Sequence, residues 1–525
     1  MSEVLKEGLN YKLTEIAVGT LSTELINPNA KRRYLLIQNK SDEAVYLNIG
    51  TAAEGTEGIQ LSPAGHENSK IEFSSKKGNL TQQPIYAVCS SGDKTLAVVE
   101  AFANNESAAP IKEFDISLVN TLISSDLAAS DELGISVDVD GDYAVIGAQG
   151  NKAAYIFKKS TISSSSSSSS YIQWTQIKKL EEEYTTHYGV SVSIDGDVVV
   201  VGDYSADITS GADIKYGAAF IYYKDTGGSD NFGLIKKVWG SESIGDGYFG
   251  ISVCVRGEYL IAGALNELVG GLIFGVTSGA AYIFKKDEGG ADNWGEIKRL
   301  INSDPANGDK FGCAVTIDGD YAFVGANQDA ITYATQGSVH IFKKDEGGTD
   351  NWGLLKRILS GATEIADGKW FGGCLDVDGD NLIVGCALNP YNPVGTIGSF
   401  EKAYIFNKDK GGTDNWGLVK EIDDPDPTST DLFSISVCIK GNYAVVGAMF
   451  DDDVGADSGS AFVYYKDKGG PSNWGLVKQL TPSTETAYDY YANSVEIDGD
   501  NIIVGSSYNS VGVGYAGAGF IYDYS

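Results

Sequence analysis

Polar and apolar residues alternate along most of this chain in short runs broken by glycine and aspartate. The fullest example reads FGCAVTIDGDYAFVGA from Phe311 to Ala326 and, after a variable stretch, GSVHIFKKDEGGTDNWGLLKRIL from Gly337 to Leu359. Val315 and Ile317 alternate with polar neighbours, Asp-Gly supplies a tight turn, and Tyr321 to Val324 form an apolar run ended by glycine, so two strands pair about the turn. A third strand is predicted over Ser338 to Lys343. A fourth follows a glycine-rich loop, starting at Trp352 and carrying Leu354, Leu355 and Ile358. No helix-period segment separates them, and four antiparallel strands per unit is the make-up of a propeller blade.

The unit recurs around seven anchors: Asp140-Gly141-Asp142, Asp195-Gly196-Asp197, Arg256-Gly257-Glu258, Asp318-Gly319-Asp320, Asp378-Gly379-Asp380, Lys440-Gly441-Asn442 and Asp498-Gly499-Asp500. They stand roughly 55 to 62 residues apart, a period that signals a repeat architecture. They predict an all-β, seven-bladed β-propeller of four-stranded antiparallel blades over residues 109–525. The seventh copy stops at Ile521-Tyr522-Asp523-Tyr524 without a fourth strand, and the stretch Phe114 to Leu122 resembles the missing one. Closing blade seven with this N-terminal strand joins the ends of the ring and removes a sheet edge that would template aggregation.

These phrases resemble the FG-GAP repeat, the blade unit of integrin-type propellers and many bacterial surface proteins. The likeness is carried by Phe249-Gly250, Phe311-Gly312 and Phe371-Gly372 at the opening, and by Gly147-Ala148, Gly263-Ala264, Gly325-Ala326 and Gly447-Ala448 at the GAP-like end. Weaker copies open Leu133-Gly134, Phe433-Ser434 and Tyr491-Ala492. Members of the family that bind calcium do so in the first hairpin, on a loop of the type Asp-x-Asp-x-Asp-Gly-x-x-Asp whose oxygens suit a hard cation. This chain departs from it: after Asp138, Asp140 and Asp142 the closing position is Ile146, and two other copies place Arg256 or Lys440 beside the turn. The turn is therefore read as a plain two-residue hairpin. A second phrase, Lys-Asp-x-Gly-Gly-x-Asp-Asn-Trp-Gly, stands at Lys286 to Gly295, Lys344 to Gly353 and Lys408 to Gly417. It resembles the Asp-box loops of sialidases with longer spacing. Its paired glycines permit positive φ, and its Trp is expected to lock neighbouring blades; a calcium or sugar site on its Asp residues is the alternative.

Residues 1–108 break the repeat and read as a small β-sandwich, with strands over Tyr11 to Val18, Arg33 to Gln38, Ala44 to Ile49, Ile85 to Cys89 and Thr95 to Ala101. Asn104 to Pro110 is a linker by composition. The phrase RRYLLIQNKSDEAVYLNIG, Arg32 to Gly50, with GIQLSPAG, Gly58 to Gly65, resembles small β-sandwich domains of bacteriophage virion proteins. That resemblance implies a domain that anchors in a particle or oligomerises.

A hydrophobic fraction of 42% suffices for a core. The net charge of −32 sits almost wholly in the propeller, because residues 1–110 hold 10 Lys and Arg against 13 Asp and Glu, leaving 29 against 58 for the rest. Such a field repels nucleic acid and anionic lipid. None of Cys89, Cys254, Cys313, Cys374, Cys386 and Cys438 forms a Cys-x-x-Cys pair, so they read as core hydrophobes kept reduced. No secretory signal or membrane-spanning run is present, which fits synthesis in a host cytoplasm and assembly into a virion surface.

Comparing the copies with one another separates two propeller faces. Asp-Gly turns and Gly-Gly loops barely vary and look like scaffold; the loops between second and third strands, and those between blades, differ in every copy. The variable loops carry Tyr204, Tyr216, Phe274, Tyr333, Tyr391, Phe400, Phe450, Tyr508 and Tyr515, and the between-blade loops add Tyr248, Trp370, Tyr488 and Tyr490. Rings with nearby carboxylates suit a glycan or a protein receptor. Asp451, Asp452, Asp453 and Asp457 are the best metal candidates, calcium being the cofactor they would take. The serine run Ser163 to Ser170 lies in the third-to-fourth-strand loop of blade one and cannot order itself by burial. His66, His187 and His340 lie in unrelated contexts, and no nucleophile motif or phosphate-cradling loop occurs.

The expectation is a non-enzymatic, multicopy virion protein, a spike or host-attachment protein that needs no cofactor, contacts other virion proteins through its N-terminal domain and displays the propeller to a receptor. A cellular adhesin or lectin is the first alternative. An enzyme is the second, and it would require convergent carboxylates at the ring axis.

Overall fold

The computed structural model describes the backbone of strands between Leu9 and Ala103 and, with side chains, residues 116–524 apart from 164–169, 208–215, 244–245, 271–274, 332–334, 361–369, 387–401, 427–430, 483–486 and 511–513. The chain divides into two units, Met1–Glu113 and Phe114–Ser525. In the first, eight strands pair into two four-stranded antiparallel sheets: Leu9–Val18, Lys94–Ala103, Arg32–Asn39 and Lys70–Ser74 in one, and Thr23–Ile26, Ile85–Cys89, Val45–Ile49 and Ile59–Leu61 in the other.

The second unit is a seven-bladed propeller of four-stranded antiparallel blades, the first six each running in chain order from an inner to an outer strand. Blade four shows the plan: Phe311–Asp318, Tyr321–Ala326, Ser338–Lys343 and Gly353–Ile358. In every blade the glycine anchor is a two-residue hairpin, as in Asp318 opposite Tyr321, and it keeps that form where Arg256 or Lys440 replaces the Asp. Only its glycine takes positive φ, +54° at Gly319, the signature of a type II′ turn. Blade seven takes Tyr491–Asp498, Asn501–Ser506 and Ala518–Asp523 from the C-terminus, and Ser117–Leu122 pairs with the last of these as its outer strand. The ring is closed as its truncated seventh copy predicts. In blade one the third and outer strands are long, Ala153–Ser163 and Ser170–Glu181, and pair as far as Ser163 opposite Ser170; the middle of the serine run lies outside the described residues.

Hydrophobic cores lie between blades. Val145, Ile156 and Leu180 of blade one meet Val192, Val201 and Phe220 of blade two, and Leu122, Ile503 and Ile521 of blade seven meet Leu133, Ile146 and Tyr155 of blade one. The Phe-Gly opening of one blade abuts the Gly-Ala end of the preceding one, backbone against backbone. A Cβ on Gly263 would lie 2.0 Å from the Gly312 carbonyl oxygen, and one on Gly312 would lie 2.2 Å from that of Ala280.

The Gly-Gly loops form a second fastening. In the blade-five loop the Asp409 carboxylate accepts the Asp414 N–H (3.1 Å) and the Asn415 amide donates to the Lys410 carbonyl (2.8 Å), so the loop is tied to itself. Trp294, Trp352, Trp416 and Trp474 are at most 1% exposed. Trp416 meets Tyr321 and Phe323 of blade four edge-on at 5.5 and 4.8 Å. The loop Asp reaches the same neighbour: Asp414 accepts the Tyr321 hydroxyl (2.5 Å) and pairs with Lys343 (2.6 Å), which is registered opposite Tyr321. The clasp repeats with Asp350 on Tyr259 and Lys285, and with Asp230 on Tyr143 and Lys158. At the interface of blades five and six all three members change together, to Asn381, Asn407 and Ser472.

Candidate functional site

Two regions qualify: the axis of the ring and the face carrying the variable loops. On the turn face the first Asp of the anchor bonds the glycine N–H of the next blade's turn. Asp140 accepts Gly196 (2.6 Å), Asp195 accepts Gly257 (2.7 Å), Asp318 accepts Gly379 (2.7 Å), Asp378 accepts Gly441 (2.8 Å) and Asp498 accepts Gly141 (3.0 Å). Lys440, replacing this Asp, pairs with Asp378 and Asp498 on either side (3.5 and 3.4 Å). These carboxylates and Arg256 line a cavity of about 580 Å³ at the mouth of the axis.

Deeper in the channel the position two residues earlier lines the wall in six blades, as Asp138, Ser193, Cys254, Thr316, Asp376 and Glu496, while its blade-six counterpart Cys438 is buried in the core. Sequence reasoning named Asp138 only in comparison with a calcium loop and passed over Asp376 and Glu496, although the shared register held the signal. Burial pushes Asp138 and Asp376 up to about 6 and Glu496 well above the usual range, while Arg256 nearby opposes the shift. Carboxylates do converge at the axis, yet backbone donors occupy them. Asp138 accepts the N–H groups of Val139 and of Ile194 in blade two (both 2.8 Å), and Asp376 accepts that of Ile439 in blade six (2.8 Å). They fasten inner strands.

On the variable face, second-to-third-strand loops and between-blade loops meet. The rings of Phe450, Tyr490, Tyr508 and Tyr515 follow one another with centroid steps of 5.1, 4.8 and 6.1 Å. Tyr488, Tyr508 and Tyr515 are 48%, 37% and 52% exposed. Trp370 joins Phe450 and Tyr490 against Leu432, Ile435 and Met449, and Ile435 also lines the channel. A second group stacks Tyr204 on His187 (4.3 Å) and sets it edge-on to Tyr248 (5.3 Å). Tyr216 is half-buried, its carbonyl accepting the Phe249 N–H (3.3 Å). Phe274, Tyr333, Tyr391, Phe400 and His66 lie outside the described residues.

The proposed metal ligands are spread out. Asp451 is buried, which pushes its pKa up to about 6, and it accepts the Asp453 N–H (3.0 Å). Asp453 accepts from Gln479 (2.9 Å), while Asp452 is exposed and Asp457 half-buried. Among the described residues no three His, Cys, Asp or Glu side chains form a group able to hold a metal ion.

His187 Nδ1 lies 2.6 Å from the Ser205 hydroxyl, which donates to Asp203 (3.0 Å). Here serine stands between acid and histidine, whereas a catalytic triad needs histidine in the middle. Asp203 also accepts the N–H groups of Thr186, His187 and Ser205, so it caps a loop. His340 is buried, its pKa pushed down to about 3 by that burial, with Phe311 edge-on at 5.2 Å.

Five segments, residues 116–161, 174–222, 294–342, 416–464 and 474–522, match the model of the FG-GAP repeat. Those five stretches are thus similar to FG-GAP repeats, and they lie in a seven-bladed propeller. Four of the five matches open at or just before an outer strand and all end in or just after the third strand of the next blade, so the family repeat straddles two blades. Among solved structures the chain is similar to Kluyveromyces lactis Hsv2 at 13% identity, over 70% of this chain and 88% of that one, with a TM-score of 0.39. A form of that protein with its complete loop 6CD matches at 13% identity, over 70% and 89%, with a TM-score of 0.38. Similarity at this level carries no functional argument. No curated protein matches.

Proposed function

We propose that the chain is a non-enzymatic structural protein of a bacteriophage virion, a spike or host-attachment protein whose variable-loop face binds a host-surface glycan or protein receptor. One observation carries the binding role: loops of blades six and seven, different in every copy, assemble a continuous ridge of partly exposed aromatic rings on a closed, rigid scaffold. Rings on a rigid surface offer contact area at little entropic cost. The axial carboxylates favour the non-enzymatic reading, because each of Asp138 and Asp376 is held by backbone donors rather than left open to a substrate. The virion assignment rests on the Arg32 to Gly65 phrases and is supported by two compact antiparallel sheets in that unit. Several copies per particle, held by other virion proteins through that unit, would add weak contacts into firm attachment.

The test is adsorption of the full chain to host cells and to a glycan array, beside the double variant Tyr508→Ser with Tyr515→Ser. The variant is expected to lose most binding and keep its melting temperature; undiminished binding refutes the reading. A coding region next to capsid genes would support the virion role over a cellular adhesin.

A further inference from the structure

The ridge also carries a charge pattern. Glu132, at the entry to blade one, and Asp457, in the blade-six loop, are half-buried carboxylates with no hydrogen-bond or ion-pair partner for their side chains among the described residues. Burial raises the pKa of each, and Asp452 adds to the effect at Asp457. The same two residues border the ridge: the Asp457 carbonyl accepts the Tyr490 N–H (3.4 Å), and Glu132 lies between Ser130 and Leu133, whose N–H groups donate to the carbonyls of Tyr515 and Ala516 (3.1 and 3.0 Å). Besides burial, Asp457 holds up the Tyr490 hydroxyl and Glu132 that of Tyr508. Phenol faces flanked by unpaired, partly desolvated carboxylates form an environment that an ammonium group satisfies twice, through cation–π attraction and ion pairing.

Size decides the kind of molecule. The exposed fractions of Tyr488, Tyr508 and Tyr515 amount to roughly 300 Å² of ring surface if a whole side chain offers about 150–250 Å². A specific protein interface needs about 800 Å² per partner. The described ridge is therefore the right size for a short oligosaccharide, and the acidic field excludes polyanionic glycans.

We propose that the ridge binds an amino-bearing glycan, its sugar rings lying along Tyr490, Tyr508 and Tyr515 and its ammonium groups seated between the phenol faces and the carboxylates of Glu132 and Asp457. The assignment rests on the reading above that the variable face is the receptor face.

Calorimetric titration of the full chain with a glucosamine tetrasaccharide, and with the same tetrasaccharide fully N-acetylated, tests it. The amine form binds at least about tenfold tighter, the size of one ion pair at roughly 1.4 kcal/mol. Glu132→Gln with Asp457→Asn erases that difference while the melting temperature stays put, and Tyr508→Ala with Tyr515→Ala removes binding of both sugars. Equal affinity for the two sugars, an amine preference that survives loss of both carboxylates, or preferential binding of oligolysine overturns the amino-glycan assignment. If neither sugar binds but cell adsorption still needs Tyr508 and Tyr515, the ligand class is wrong and the receptor face stands. If the tyrosine variant adsorbs like the parent, the receptor-face reading fails first.

Discussion

The inter-blade clasp makes a quantitative claim that can be tested in both directions. Asp414 accepts the Tyr321 hydroxyl and pairs with Lys343, and its side chain is only 18% exposed. Hydrogen bonds to charged groups contribute about 1.5–3 kcal/mol when shielded and part-exposed ion pairs about 0.5–1 kcal/mol. Asp414→Ala should therefore cost about 2 kcal/mol, and a Tyr321→Phe and Asp414→Ala cycle should show about 1 kcal/mol of coupling. Blades five and six permit the reverse experiment, because Asn381, Asn407 and Ser472 hold the three equivalent positions and Ser472 already has the left-handed φ of +54° seen at the loop Asp residues. The triple change Asn381→Tyr, Asn407→Lys and Ser472→Asp should gain about 1 kcal/mol, while each single change gains nothing or loses. Equilibrium urea unfolding, followed by fluorescence of the buried tryptophans, reads all of these. Additive effects with no coupling in either direction would refute the clasp and reduce the Gly-Gly loop to a local turn.

Removing residues 114–122 should open blade seven and cost on the order of 5 kcal/mol, since buried Ile116 and Leu122 leave with the pairing; an unchanged calorimetric midpoint would show that this strand does not close the ring. Gly263→Ala should cost about 3 kcal/mol by driving a methyl into the Gly312 carbonyl, whereas Ala492→Gly, which relieves a left-handed alanine at φ +65°, should stabilise by about 0.5 kcal/mol in the same denaturation assay. The folded-state pKa values of Asp138 and Asp376 are raised to about 6, so the fold binds their protons more tightly than the unfolded chain does, and stability falls as pH rises from about 4 through 6, by on the order of 3 kcal/mol per carboxyl. Asp230, Asp350 and Asp414 are shifted down by their lysine partners, so the clasps weaken as pH falls below about 4. Melting temperature against pH should accordingly be flat above about 6, rise as pH is lowered from 6 toward 4 and fall again below about 4; no rise between pH 6 and 4 would contradict the axial assignment. Millimolar calcium should leave the midpoint within about 1 °C; a rise of several degrees would establish a metal site by mass action.

What could be read in advance followed from repetition. Period, turn chemistry and the truncated last copy specify seven blades and the strand that closes them, because each copy reports independently on the same geometry. The axial layer escaped notice for the opposite reason. Asp138 and Ile194, or Asp376 and Ile439, are about sixty residues apart, and nothing local marks a carboxylate whose acceptor role is filled by another blade's backbone. The variable face shows how the same scaffold leaves room for function. In six of the seven blades the residue just before the opening, Glu132, Tyr248, Lys310, Trp370, Leu432 or Tyr490, is held at φ between +45° and +61°, and only His187 of blade two departs from this. A left-handed backbone costs roughly 1–2 kcal/mol at a non-glycine residue, yet no side-chain chemistry is common to the six. The conformation is therefore set by the backbone path at the opening and not by the side chain, which is free to differ at that position. A frame that fixes the backbone and releases the side chain is what a display surface requires, and Tyr490, at the centre of the aromatic ridge, occupies one of those six positions.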